Sequence, residues 1–319
     1  NYYKNEIFWR DFEKFLTWYL GREHYDIIHA QHQMTIIPSI IAGRKFSVPV
    51  VSTIRDYWPV CYFGTLGVSH ERSMLECECQ KDKTKFPLTS LARIYMKKNL
   101  KRKQEALKNS DAIIAVSNFV KNSIVSVVDS NKISVIPNFF DAGMKAVEGD
   151  YVLYIGNLKE EKGVLFLLDA LKKMKPKIKT LFVGDGPLKK QLEKGKDIKI
   201  LGRLSHDETM KYLANCKLLV FPSLWHEPLS RVLIEASSIG KPIIATNTGG
   251  TEDIIKDGKT GLLSNVDVNE FSKKLSKLLS DPALRRRLAR NARQGAKRNF
   301  SESVVIKKVE ALYNSLLKQ

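Results

Sequence analysis

The chain has 319 residues, of which 43% are hydrophobic and 27% charged, a globular composition that excludes a disordered or fibrous protein. Lysine and arginine outnumber aspartate and glutamate 53 to 34, a net charge of +19, so anionic partners are favoured: nucleic acid, anionic lipid or phosphorylated small molecules. No run reaches the ~18 consecutive apolar residues of a membrane span, and four cysteines in a chain this long do not make a disulfide scaffold.

The opening NYYKNEIFWRDFEKFLTWYL reads as a helix over 1–20. It is aromatic and charged without a small-residue cleavage site, so it is no signal peptide, and a cytoplasmic setting is expected, with an inner membrane face as a peripheral location. Short β-branched runs at 27–31, 48–55, 112–117 and 133–137 read as strands, followed by a second set at 152–156, 180–184, 198–201, 218–222, 243–246 and 261–264. Most are continuously apolar rather than alternating, which marks parallel strands covered on both faces. Helical patterns at 163–173, 188–194, 207–215, 228–239 and 269–279 lie between the later strands, and the tail from 282 reads as two helices parted near 299–301. Such alternation predicts an α/β, doubly wound architecture.

The alternation stops at FFDAGMKAVEGD (139–150). This places a boundary between a first domain, 1–142, and a second, 143–319, with the last helix free to pack back on the first. A Rossmann-like domain ordinarily opens on a strand and a glycine-rich turn. The first domain opens on a helix, so an opening strand–turn–helix unit is expected to be absent from it.

The positive charge is uneven. Between 81 and 108 stand ten basic residues (Lys81, Lys83, Lys85, Arg93, Lys97, Lys98, Lys101, Arg102, Lys103, Lys108) against Asp82 and Glu105. This is either a solvated helix face or a contact for an anionic membrane surface or acceptor. Cys61, His70, Cys77 and Cys79 supply four zinc-ligand types, but the Cys-x-Cys spacing is tighter than in usual structural sites, and no metal is expected. No nucleic-acid motif accompanies the charge, so no nucleic-acid partner is expected.

The strongest chemical signal is FPSLWHEPLSRVLIEA (221–236). A strand ends, a loop carries Trp225, His226 and Glu227, and Pro228 is placed to open a helix, where its missing N–H costs nothing. The bare amides of Leu229, Ser230, Arg231 and Val232 then form an anion site at the carboxyl end of a sheet. Glu235, two turns after Pro228, is expected on the same face, and carboxylates are good acceptors for sugar hydroxyls.

The spacing Glu227-x7-Glu235 resembles the E-x7-E motif of family 4 glycosyltransferases, the GT-B enzymes of glycosyl transferases group 1. The stretches GNLKEEKG (156–163), VGDGPL (183–188), LGRLSHDE (201–208), SSIGKPIIATNTGGTEDIIKDGKTGLL (237–263), AVSNFVKNSI (115–124), ISVIPN (133–138), DIIHAQH (26–32) and VPVVSTIRDYWPVC (48–61) are similar to the same family in the same order. The resemblance covers nearly the whole chain. It implies two Rossmann-like domains facing a central cleft and retaining, metal-independent sugar transfer. The donor is a UDP- or GDP-sugar with no further cofactor, and the acceptor a carbohydrate, a lipid-linked glycan or a small molecule.

Roles carry over by motif position. The resemblance implies that Glu227 contacts the donor sugar and Glu235 the ribose, that Lys162 neutralises the diphosphate, and that Ser230–Val232 amides hold its oxygens. A cation and a helix start stabilise charge on a departing diphosphate without a metal. The family usually carries arginine where Asn157 stands, and Arg231 is the candidate substitute. Gly184, Arg203 and Leu204 fall where the family places the nucleotide base; Gly184 also suits a tight turn, and Arg203 a plain surface arginine. Arg55 and Asp56 end a strand on the acceptor side, Asp56 as a candidate catalytic or acceptor-binding carboxylate. Ser117 is a candidate acceptor contact or a helix N-cap. Glu235 could instead pair with Arg231, its i,i+4 predecessor. Alternatives to a transferase are a sugar-nucleotide-binding module with little activity, and a sugar-nucleotide epimerase of similar architecture.

Overall fold

The computed structural model describes residues 4–64, 90–175, 178–193, 195 and 197–318. Lys81, Lys83 and Lys85 of the basic segment, and His70, Cys77 and Cys79 of the zinc candidates, lie outside the described residues. Two compact units are present: Asn1–Pro137 together with Ile306–Gln319, and Asn138–Val305. The division falls at 137/138, not at 142/143.

The first unit begins with α1 (Lys4–Leu20), β1 (Ile28–Ala30), α2 (Gln33–Phe46) and β2 (Val50–Ile54), and continues with α3 (Ser90–Lys108), β3 (Ala112–Ala115), α4 (Asn118–Ile124) and β4 (Ile133–Val135). Its four strands are all parallel, in the order β1-β2-β3-β4. β2 and β3 are buried along their whole length, which is why they lack the apolar–polar alternation of a half-exposed strand. The helix α2 escapes a periodicity reading because Pro38 and Gly43 interrupt it and seven of its residues are buried. Its start is held by the His32 side chain, which accepts from the Met34 amide. The basic segment is a helix where described, but Lys103 is only 3% exposed. It therefore cannot serve a surface contact, and Lys97, Lys98, Lys101, Arg102 and Lys108 carry the exposed charge of α3.

The second unit alternates β5 (Val152–Ile155), α5 (Val164–Lys173), β6 (Thr180–Val183), α6 (Lys189–Leu192), β7 (Ile198–Gly202), α7 (His206–Asn215), β8 (Leu218–Phe221), α8 (Arg231–Ile239), β9 (Ile243–Thr246), α9 (Thr251–Ile254) and β10 (Leu262–Ser264). It closes with α10 (Val268–Ser280) and α11 (Pro282–Asn299); α12 (Glu302–Leu317) runs on into the first unit. The sheet is parallel throughout, in the order β10-β9-β8-β5-β6-β7. The order reverses direction between β5 and β8, and such a switch point opens a crevice outside the carboxyl ends of the strands.

The core of this unit joins Val152 and Tyr154 of β5, Leu167 and Ala170 of α5, Val220 of β8 and Phe271, Leu275 and Leu278 of α10. One buried charge organises its far side. Lys241 is 1% exposed, and its ammonium donates to the carbonyls of Val147 at 2.9 Å, Ala214 at 2.9 Å and Cys216 at 2.6 Å. Three acceptors match its three protons, so the buried cation is fully satisfied. Arg285, also buried, plays a similar part, reaching Glu148 and the carbonyls of Leu278 and Leu279.

Candidate functional site

At the switch point a cavity of about 230 Å³ is lined from three directions. Tyr154, Ile155, Gly156 and Asn157 come from the end of β5, Phe221, Pro222 and Ser223 from the end of β8, and Leu229–Val232 from the start of α8, with Lys162 and Glu227 closing it. Close backbone packing makes this convergence possible. Gly163 has φ +71°, and a Cβ there would lie 1.7 Å from the Pro222 carbonyl oxygen. Only glycine lets the turn that carries Lys162 press onto the end of β8.

The loop between β8 and α8 is anchored rather than free. The amides of Leu224 and Trp225 donate to the Glu161 carbonyl at 3.0 and 3.2 Å, and the Gly250 amide donates to the Glu227 carbonyl at 2.7 Å. His226 Nδ1 accepts from the Gly249 amide at 3.1 Å. A Cβ on Gly249, whose φ is +55°, would come within 2.4 Å of the Glu227 carbonyl oxygen. Two loops from neighbouring strands thus clamp Glu227 from its backbone.

The expected helix start at Pro228 is corrected: α8 begins at Arg231. Ser230 is the N-cap, its hydroxyl accepting from the Leu233 amide at 3.4 Å. A hydroxyl that satisfies a first-turn amide is a stronger start signal than a proline, and Pro228 and Leu229 stay in the loop, both buried. The amides of Arg231 and Val232 therefore head the helix. No intrahelical acceptor exists for them, and both residues line the cavity.

Lys162 and Glu227 form an ion pair across the cavity, with their side chains 23% and 15% exposed. The Lys162 ammonium also lies 4.7 Å from the centroid of the Trp225 ring, a cation–π contact that holds it at the mouth. The Tyr154 hydroxyl donates to the Asn157 carbonyl at 2.9 Å. Burial first, then the charges of Glu227 and Glu161, push its pKa up, so it stays a neutral phenol. Arg231 is exposed and makes no ion pair among the described residues; the alternative pairing with Glu235 is absent.

The remaining candidates sit around this cavity or away from it. Glu235 is 5% exposed and is not part of its lining; its Oε1 lies 3.1 Å from Nε2 of His206. Gly184 stands directly behind the cavity, since a Cβ on it would lie 1.9 Å from the Gly156 carbonyl oxygen. Arg203 is largely exposed, 3.9 Å from Asp185, and Leu204 is half-buried beside it. In the first unit Arg55 donates to Gln31 at 2.7 Å. Asp56 accepts from the Trp58 amide at 2.9 Å, and burial pushes its carboxyl above the usual range, with His32 and Lys103 opposing. Ser117 is 1% exposed, its hydroxyl taking the Val120 amide at 3.1 Å as the N-cap of α4. No group of three or more metal-ligating side chains occurs among the described residues.

Two participants were not singled out in the sequence. His206 lies inside the capping box Ser205–Glu208 as the first residue of α7, and its partnership with Glu235, 29 residues on, depends on how two helices pack. Tyr154 hides inside an apolar strand, where an aromatic reads as core.

A cavity at the switch of a parallel sheet, with a bare helix start and a cation–carboxylate pair, suits a charged, hydroxyl-bearing ligand. The family model for glycosyl transferases group 1 matches residues 135–295, and that for glycosyltransferase family 4 matches residues 2–143. The chain belongs to the glycosyl transferases group 1 family. An uncharacterized glycosyltransferase of Methanocaldococcus jannaschii is 34% identical over 220 residues, covering 66% of this chain and 61% of that protein. The chain thus spans about three fifths of the length of that relative. Among solved structures, Anabaena HepE in complex with UDP superposes with a TM-score of 0.76 at 19% identity, covering 95% of this chain and 82% of that one. Sucrose-phosphate synthase of Thermosynechococcus elongatus gives 0.77 at 21% identity, covering 99% and 80%. The fold is accordingly GT-B, with one parallel sheet in each domain.

Proposed function

We propose that this chain is a retaining glycosyltransferase that takes a sugar from a nucleoside diphosphate and transfers it to a carbohydrate or lipid-linked acceptor without a metal. The observation that carries the reading is the Lys162–Glu227 pair lining one cavity together with Arg231 and Val232, whose first-turn amides have no intrahelical acceptor. The two amides receive the diphosphate, with half a unit of positive charge from the helix behind them. Lys162 leaves Glu227 for the phosphate, and Glu227, released, accepts a hydroxyl of the sugar. As the glycosidic bond breaks, negative charge grows on the leaving diphosphate, and the ammonium and amides are already aimed at it. Glu235, fixed by His206, supports the ribose, and Gly184, Arg203 and Leu204 stand toward the base. Asn157 contributes a polar wall without charge, and Arg231 supplies the second cation.

The donor is a UDP-sugar by analogy with the UDP in the HepE structure. Arg55 and Asp56 belong to the acceptor side; Ser117 acts as a cap. The exposed charge of α3 supports an acceptor at an anionic membrane surface, tested by sedimentation with anionic vesicles after reversal of Lys97, Lys98 and Lys101; equal binding to neutral vesicles contradicts it. The function itself is tested by incubating the protein with a panel of UDP- and GDP-sugars and glycan acceptors. Transfer with the anomeric configuration kept supports the reading. An inverted product refutes retention, and release of an epimerised sugar nucleotide refutes transfer.

A further inference from the structure

We propose a second anion site, on the opposite end of α8 from the donor cavity, that takes a small molecule carrying two or more phosphate groups. A concavity of about 510 Å³ is lined there by Lys145, Gly240, Arg290, Arg293 and Lys297 among others, with no acidic residue in its wall. That volume is in the range of small-ligand sites.

The cations arise from a helical stripe. At 100° per residue, Arg286, Arg290, Arg293 and Lys297 of α11 fall within about 60° of one another on the helix, spaced over roughly 16 Å. The opposite face carries the buried Leu284, Leu288, Ala292 and Ala296. Lys145 meets this stripe from the segment before β5. Lys145, Arg290, Arg293 and Lys297 are all exposed, and among the described residues none of the four has a hydrogen-bonded or ion-paired partner. Arg285, one residue outside the stripe, shows the contrast: it is buried and engaged by Glu148.

A simpler account is that the cations neutralise helix ends. α8 ends at Gly240 in this pocket, and Lys297 lies in the last turn of α11. Each helix end presents about half a negative charge. Two ends therefore call for about one positive charge, and four are present. The surplus raises the local concentration of a multivalent anion, and guanidinium forks match phosphate oxygens. A ligand with phosphates several ångströms apart spans adjacent side chains of the stripe. The nine residues of α8, about 13 Å at 1.5 Å each, separate this pocket from Arg231, so the two sites are distinct.

The test is calorimetric titration of inorganic tripolyphosphate into the full chain with saturating UDP, which occupies the donor cavity. One further binding event is expected, weakened at least tenfold in Arg290→Ala/Arg293→Ala and less in Lys145→Ala, with thermal melting unchanged because these side chains are exposed. Equal affinity in wild type and double variant overturns the proposal, as does the lack of any heat under UDP. A double variant that loses anionic vesicle binding but keeps tripolyphosphate makes the face a membrane contact and also overturns it.

Discussion

Replacing Glu227 by glutamine is expected to tighten the binding of UDP while lowering sugar transfer. The carboxylate holds the Lys162 ammonium, and any incoming diphosphate meets both. A carboxylate ~6 Å from a phosphate oxygen repels it by roughly 3 kcal/mol at an effective dielectric near 20. Salt screening leaves about 1–2 kcal/mol, or roughly five- to thirtyfold in Kd. Neither side chain is more than a quarter exposed, at 23% and 15%, so the interaction is not lost to bulk water. Lys162→Met acts in the opposite sense. It leaves Glu227 uncompensated beside the phosphates, weakens UDP by a similar factor and lowers kcat by about 10²–10³-fold, because the charge on the leaving diphosphate grows in the transition state. The double variant binds UDP nearly as wild type does but does not regain turnover. Calorimetry with UDP and a coupled assay for UDP release measure all four forms of the cycle. UDP lacks the transferred sugar, so the effect of Glu227→Gln on its affinity reads the charge rather than a lost sugar contact. If Glu227→Gln binds UDP more weakly than wild type, or Lys162→Met turns over within threefold of it, the reasoning is refuted.

Arg231→Ala is expected to weaken UDP by about tenfold or more and uridine hardly at all, since the guanidinium addresses phosphate; equal loss for both ligands in calorimetry contradicts its role. Lys241→Met removes a buried ammonium that donates to three carbonyls; those of Ala214 and Cys216 keep the amides of Val147 and Gly149 as donors, so the loss is set by the one carbonyl left unpaired, at about 1–3 kcal/mol. A loss of at least ~1 kcal/mol in urea unfolding is expected, and an unchanged midpoint is evidence against this anchor. His29 is held below its usual pKa, by burial first and then by Arg55. Its nitrogens lie 2.6 Å from the hydroxyls of Tyr313 and Thr53. A depressed folded pKa means that its contribution is present above pH ~6.5 and lost as pH falls through the folded value. Between pH 7.5 and 5.5 the melting temperature of wild type is expected to drop about 1–3 °C more than that of His29→Gln; parallel curves contradict this.

Much of the fold is written in apolar runs. β2, β3, β6, β8 and β9 are buried at every residue, so burial on both faces left a signature that needed no partner to read. α2 left none, because a helix buried on most sides and broken by Pro38 has no polar stripe. The end of α8 was legible through Gly240, but its start was not, because Pro228 and Ser230 are both start signals and only the anchoring of the loop to Glu161 and Gly250 decides between them. At the site, Glu227 stands in the cavity lining, whereas Glu235, eight residues on, meets His206 instead. The pairing of Lys162 with Glu227, 65 residues on, was not legible in the sequence, since it depends on Gly163 meeting Pro222 in three dimensions.

The central claim is that a diphosphate sits on the first turn of α8. Backbone amide resonances of Arg231 and Val232, followed by transverse-relaxation-optimised NMR during a UDP titration, address it directly. The account predicts that these two amides shift downfield among the most strongly perturbed in the chain, and that uridine leaves them nearly still. Saturable UDP binding with both amides unmoved would contradict it.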